Sequence, residues 1–177
     1  MNIKKDNTLL IVDLLKKSTT NEKINRNIES VLESSEIFNL KKILFEFEDK
    51  KNDSNFKDYK DYSFDKILKR KTINFFTEEL KDYLFNNNIK NVILSLGYAH
   101  SSIFQTAREI ILSGYNCFIL NDAIFYENLR NKQVAVGEMR DMGCDIITCE
   151  MLIFDLLSSK ENINFSRISS IIKNLRK

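Results

Sequence analysis

The stretch from Asn91 to Arg108 constrains the fold more than any other part of the chain. Val92-Ile93-Leu94-Ser95-Leu96 is an apolar run that ends at Gly97 and a short turn, Tyr98-Ala99-His100-Ser101-Ser102. A helical pattern begins at once, with Ile103, Ala107, Ile110 and Ile111 recurring at i, i+4, i+7 and i+8. This predicts a buried strand running into a helix N-terminus. In open α/β sheets, ligands bind at the carboxyl ends of strands, where the first amides of the following helix point outward. The 98–102 turn is therefore where a site is expected first.

The remainder alternates in the same way. Thr8-Leu9-Leu10-Ile11-Val12-Asp13 is an apolar run ending in an acid, as buried parallel strands do. Thr19-Thr20-Asn21-Glu22 reads as a capping box opening a helix over about 20–39, with Ile24, Ile28, Val31, Leu32 and Ile37 on one face. Lys42 to Phe47 is the next strand. Residues 48–65 are rich in Lys, Asp, Asn and Ser, with Phe56, Tyr59, Tyr62 and Phe64 at intervals. Such a loop is long for a connection, so it is either a lid or a segment stapled down by its aromatics. Ile67-Leu68 predicts a very short strand before the basic cluster Lys69-Arg70-Lys71, and Thr77 caps a helix that ends at Asn86-Asn87-Asn88. Beyond the elbow helix come a strand over 115–120 closed by Asn121-Asp122-Ala123, a helix over 127–142, a strand over 145–148, and helices over 150–158 and 163–175. The terminal helix (Ile163, Phe165, Ile168, Ile171, Ile172) suits packing on a partner or on its own sheet equally. The order predicts a mostly parallel sheet of about six strands between two helical layers, in one domain over 1–177.

Composition narrows the function classes. Apolar residues are 43% and charged residues 29% of 177, as in a globular protein. Lys and Arg exceed Asp and Glu by two, too little to argue for nucleic acid or an anionic membrane. No run approaches the roughly 18 apolar residues of a membrane span. No apolar segment follows the first lysines as in a signal peptide, so a cytoplasmic location is expected. Cys117, Cys144 and Cys149 have no metal-ligand spacing and His100 is the only histidine, so neither a metal nor another cofactor is expected. With four glycines and no G-x-G-x-x-G or P-loop pattern, a flavodoxin-type or nucleotide-binding module is disfavoured.

A parallel sheet gathers its strand ends on one edge. Asp13, Lys69 and the 98–102 turn each follow a predicted strand, so they can meet although far apart in sequence.

These residues also carry a resemblance. Gly97-Tyr98-Ala99-His100 followed by Thr106-Ala107 is similar to the strand–elbow–helix of the isochorismatase-like hydrolases. Asp13 after Leu10-Ile11-Val12, Lys69 six residues before Phe75 and its partner Leu80, and Asn121-Asp122-Ala123 resemble further family motifs, so that the likeness runs from about Thr8 to Leu157. It implies a three-layer α/β/α Rossmann-like fold. Amidase members carry a nucleophilic cysteine four residues before the Thr of Thr-Ala; here that residue is Ser102, and the Tyr-Ala-His elbow is similar to that of the true isochorismatases. A serine there needs a far stronger base than a lysine-paired carboxylate, so covalent amide hydrolysis is not expected.

The resemblance implies Asp13 as the acid that protonates a vinyl ether carbon, water then adding and pyruvate leaving. Lys69 would hold a substrate carboxylate, and Tyr98, Ala99, His100, Ser101 and Ser102 would bind the substrate. The partners implied are a small carboxylated molecule, isochorismate or a relative, and further copies of the chain. The alternative is a catalytically inactive member serving as a binding or assembly partner. That alternative draws on the departures: Leu15 stands where a glutamine is usual, Lys132 or Gln133 where a histidine is, Leu96 where the elbow glycine is, and the 47–69 segment is short.

Overall fold

A computed structural model describes residues 3–14, 21–47, 59, 61–159 and 161–176. Strand β1 (Thr8–Leu14) leads to α1 (Glu22–Phe38), β2 (Lys41–Phe47), β3 (Lys66–Arg70), α2 (Glu78–Asn86) and β4 (Asn91–Tyr98). A π-helical turn (Ala99–Ile103) opens α3 (Phe104–Leu112), followed by β5 (Asn116–Phe125), α4 (Leu129–Asp141), β6 (Asp145–Ile147), α5 (Cys149–Leu157) and α6 (Phe165–Leu175). The six strands form one parallel sheet in the order β3-β2-β1-β4-β5-β6. Chain order reverses between β1 and β4, which puts a topological switch point at their carboxyl ends.

Strand parity sorts the core into two layers. Leu10, Val12, Leu44 and Ile93 face α1, α5 and α6, whereas Leu9, Ile11, Ile43, Phe45, Val92 and Leu94 face α2, α3 and α4. Asp13 shares the parity of Leu9 and Ile11, so its side chain lies on the α2–α3 side. Both faces of β1 are apolar because both are covered, as in parallel sheets generally. Ser95 interrupts the apolar run of β4, and its Oγ donates to Ile11 O at 2.8 Å, tying β4 to β1 beside the switch point.

Local signals set most ends. Asn21 Oδ1 accepts Ile24 N–H to cap α1, and Thr77 Oγ1 accepts Leu80 N–H to cap α2. Asn88 takes the left-handed turn (φ 51°) expected after α2. Thr19 and Thr20, the first half of the predicted capping box, and residues 48–58 of the long loop lie outside the described residues. The end of that loop is stapled: Tyr59 is buried with its hydroxyl 3.0 Å from Asn25 Oδ1, and Tyr62 and Phe64 pack on the core. Helix α6 buries Ile168, Ile171 and Ile172 against α1 and α5, so its apolar face is taken up within the chain.

Two strands outrun the sequence reading. β3 covers 66–70 rather than 67–68, and β5 continues through Asn121-Asp122 to Phe125. The polar pair does not end β5 because both residues find partners in place: Asn121 O accepts from Lys132 Nζ, Asp122 Oδ1 accepts Cys149 N–H and Asp122 O accepts Asn27 Nδ2–H. Ala123, Ile124 and Phe125 are then buried again. The extension pairs with β4 only through register shifts around Leu96, which has φ 67°.

Leu96 is fully buried, so it combines a left-handed backbone with a core side chain. The conformation costs an L-residue about 1–2 kcal/mol, while deleting a buried leucine side chain costs about 2–5 kcal/mol. Packing therefore outweighs strain. Leu96→Gly should lower stability by about 1–3 kcal/mol in urea denaturation; a gain would show that strain dominates.

Candidate functional site

At the switch point the end of β1 meets the elbow after β4. Asp13 has no solvent exposure and Ser102 has 2%. Between them lies Gly97, where a Cβ would sit 2.5 Å from Asp13 Oδ2, 2.5 Å from Ser102 Oγ and 2.9 Å from Ile103 Cδ1. No side chain fits, which is why glycine stands here. Its φ is not positive; the left-handed dihedral falls on Leu96, one residue earlier. The elbow thus divides two demands between neighbours: space at Gly97 and backbone reversal at Leu96. The π-helical turn that follows swings Ser102 inward and leaves His100 outside. Such turns are rare and concentrate at functional sites.

The cation beside Asp13 is Arg70. Its Nε donates to Oδ1 at 2.8 Å and its Nη2 to Oδ2 at 2.9 Å, in a bidentate pair buried on both sides. Nη1 donates to Thr72 O at 2.6 Å and to Ile73 O at 3.4 Å. The guanidinium lies 4.9 Å from the Phe47 ring and 5.6 Å from the Phe75 ring. Lys69, placed here by the sequence reading, is instead exposed. Parity explains the correction: Arg70 shares its face with buried Leu68, and Lys69 shares the other with exposed Ile67. Arg70 pairs with Phe47 in register, so its long side chain reaches across β2 to β1. The signal available in the sequence was that Arg70 lies two residues from Leu68, but adjacent Ile67 and Leu68 left the parity open.

Burial pushes the Asp13 carboxyl above its ordinary value. The charge and hydrogen bonds of Arg70 pull it back, and the Ser102 hydroxyl pulls slightly the same way, but burial prevails. Ser102 Oγ lies close enough for the carboxylate to feel it, yet it has no well-formed hydrogen-bond partner. Among the described residues it is the buried side-chain polar atom left without one. Such an orphan is costly unless a ligand or water completes it.

The other expected residues are spread around this centre. Ala99 is buried, Ser101 and Tyr98 are half-buried, and the Tyr98 ring stacks at a tilt between His100 (6.0 Å) and Phe125 (6.3 Å). His100 borders a cleft of about 290 Å³ with Phe104, Arg130 and Val134, on the α4 side of the elbow. Lys132 is half-buried over the Tyr126 ring, its Nζ 2.6 Å from Asn121 O, and burial lowers its ammonium pKa. Cys117, Cys144 and Cys149 are buried free thiols, and none is in the elbow. Among the described residues no cluster of His, Cys, Asp or Glu is placed to hold a metal, and no helix is long and apolar enough to cross a membrane.

The isochorismatase domain model matches residues 8–151, from the first residue of β1 into α5. The chain belongs to the isochorismatase family. Members similar to it in sequence include isochorismatase family protein 1B of Dictyostelium discoideum, 27% identical over 113 residues, which are 63% of this chain and 55% of that one. Family protein 2A of the same organism is 28% identical over 111 residues, 62% and 54% of the two chains. This isochorismatase-family chain thus spans about half the length of the curated relatives it matches. Among solved structures, the MAR1 ribonuclease of Caenorhabditis elegans superposes with a TM-score of 0.85 at 19% identity, covering 98% of this chain and 93% of that one. The YcaC protein of Escherichia coli, described as an octameric hydrolase of unknown specificity, gives 0.77 at 16% identity, covering 98% and 90%. Identities this low show the shared fold alone.

The geometry separates two adjacent cations. Removing one partner of a buried pair strands the other charge and costs about 3–5 kcal/mol, whereas exposed substitutions stay within about 0.5 kcal/mol. Arg70→Ala should therefore lose several kcal/mol in urea denaturation and Lys69→Ala almost nothing. Equal small losses would remove Arg70 from the centre.

Proposed function

We propose that this chain is a cysteine-independent hydrolase of the isochorismatase family, with Asp13 as the proton donor for a small vinyl ether substrate, isochorismate or a relative. The observation that carries the reading is the fully buried Asp13 carboxyl, raised by burial, with the unpartnered Ser102 hydroxyl beside it over Gly97. An acid that holds its proton above the ordinary aspartate range is what protonating a vinyl carbon requires. In the proposed step the Asp13 proton passes to the terminal vinyl carbon and water adds to the resulting oxocarbenium-like carbon. The adduct collapses to pyruvate and the ring alcohol, and the released proton returns to Asp13. Ser102 would meet an oxygen of the substrate or of the water. Arg70 would orient the carboxyl; with both Nη1 contacts on backbone carbonyls it is not free to hold a substrate carboxylate, the role first given to Lys69. A carboxylate would be met by the amides and side chains of the elbow turn, 98–102.

The second reading, an inactive binding or assembly partner, is favoured by the clamp itself. Arg70 occupies both oxygens of Asp13, and Asp13 and Ser102 are closed from solvent, so a substrate must open the centre to reach them. Either reading is compatible with association of several copies, as described for the octameric neighbour.

Purified protein should release pyruvate from isochorismate, and Asp13→Asn should slow this roughly 10²–10⁴-fold, the usual worth of a positioned acid. The rate should be highest at low pH and fall as pH rises through the Asp13 pKa, because the protonated form is the active one. A rate that climbs with pH would make Asp13 a base. No pyruvate at any pH would leave the inactive partner.

A further inference from the structure

We infer that Thr106 is a positioning residue: from the elbow helix it holds the 72–76 loop in the conformation that locks Arg70 across both oxygens of Asp13. The inference deepens the reading of Asp13 as the reacting group and rests on it for its functional meaning.

The guanidinium of Arg70 has two edges. The inner edge, Nε and Nη2, meets Asp13; the outer edge, Nη1, meets the carbonyls of Thr72 and Ile73. The outer carbonyls set how the planar group is rotated, and a rotation would break the bidentate fit. Thr72 and Ile73 are themselves exposed, so their own side chains do not hold that stretch in place; the apolar anchors, Phe75 and Phe76, come only after it. It is held by a polar network that ends on Thr106.

Thr72 Oγ1 donates to Asn74 O at 2.6 Å, and Asn74 Oδ1 accepts Phe76 N–H at 2.9 Å. Thr106 Oγ1, on α3 and with no solvent exposure, donates to Asn74 Oδ1 at 3.2 Å and accepts Phe75 N–H at 3.1 Å. One hydroxyl thus uses both its donor and its acceptor capacity on the loop. The second bond seats Phe75, whose ring lies 5.0 Å from Phe45 and 5.6 Å from the guanidinium. The same helix that carries the elbow therefore also fixes the cation, so Ser102 and Arg70 are placed around Asp13 by one rigid element.

Valine has the shape of threonine without the hydroxyl, so Thr106→Val leaves Phe75 N–H without its acceptor and Asn74 Oδ1 with Phe76 N–H alone, and frees the loop. The test is exchange of the Arg70 Nε hydrogen with solvent, followed by nitrogen-15 NMR on the intact chain, with the Ile11 amide inside the sheet as reference. In Thr106→Val, Arg70 Nε–H exchange should accelerate at least tenfold more than that of Ile11, and Thr106→Ser should restore protection. Asn74→Ala, at a half-exposed position, should show the same selective loss and serves should Thr106→Val fail to fold. Equal acceleration at both positions would make Thr106 a general stabiliser, and unchanged Arg70 protection would remove it from the clamp; either result overturns the inference. The measurement uses no substrate, so it fails or succeeds independently of pyruvate release.

Discussion

The rest of the centre depends on burying the carboxyl of Asp13. Taking a carboxylate out of water costs several kcal/mol unless a partner meets it, and β1, covered on both faces, offers Asp13 no water. Arg70 is the partner, and its own burial creates the next requirement: every N–H that leaves water needs an acceptor. Thr72 O and Ile73 O supply acceptors, the rings of Phe47 and Phe75 cover the flat faces, and α3 holds the loop that presents them. A single buried charge thus recruits β1, β2, β3, the loop before α2 and the elbow helix. The pair need not add net stability to do this, since buried ion pairs are often replaceable by apolar groups. What it does is fix one arrangement of five elements around one carboxyl group.

The elbow supplies the other constraint. For Asp13 and Ser102 to approach, the chain between them must give up a side chain, and Gly97 does so. The strand must also turn sharply before the helix, and here a leucine in a left-handed conformation carries the turn. A strained leucine, a π-helical turn and an unsatisfied hydroxyl all fall within the eight residues 96–103. Departures from local preference gather where structure is spent on binding or chemistry.

The layers were legible because apolar runs and helical periods alternate cleanly from Thr8 to Leu157, and a chain that alternates in this way has few other ways to bury both faces of its strands. Asp13 and the elbow were legible for the same reason, since both end strands that are apolar throughout. The cation was not. In Lys66-Ile67-Leu68-Lys69-Arg70 two adjacent apolar residues flank a run of charges, so the sequence contains no parity, and a shift of one residue moves the side chain to the opposite face of the sheet. The continuation of β5 was also hidden, because Asn121-Asp122 reads as a turn until the distant Asn27 and Cys149 satisfy it. The strain at Leu96 follows from the register shifts with β5, which depend on tertiary pairing. Even so, the displaced glycine of the elbow was visible as a departure from the family pattern.

Two opposing effects meet at Asp13, and burial outweighs Arg70. Carbon-13 NMR of selectively labelled aspartate carboxyls, titrated in the folded chain and assigned with Asp13→Asn, measures the balance directly. The midpoint for Asp13 should lie above the unperturbed value of 3.8. A midpoint at or below it would mean that Arg70 fixes a permanent carboxylate, and the centre would then lack the acid on which the proposed reaction depends.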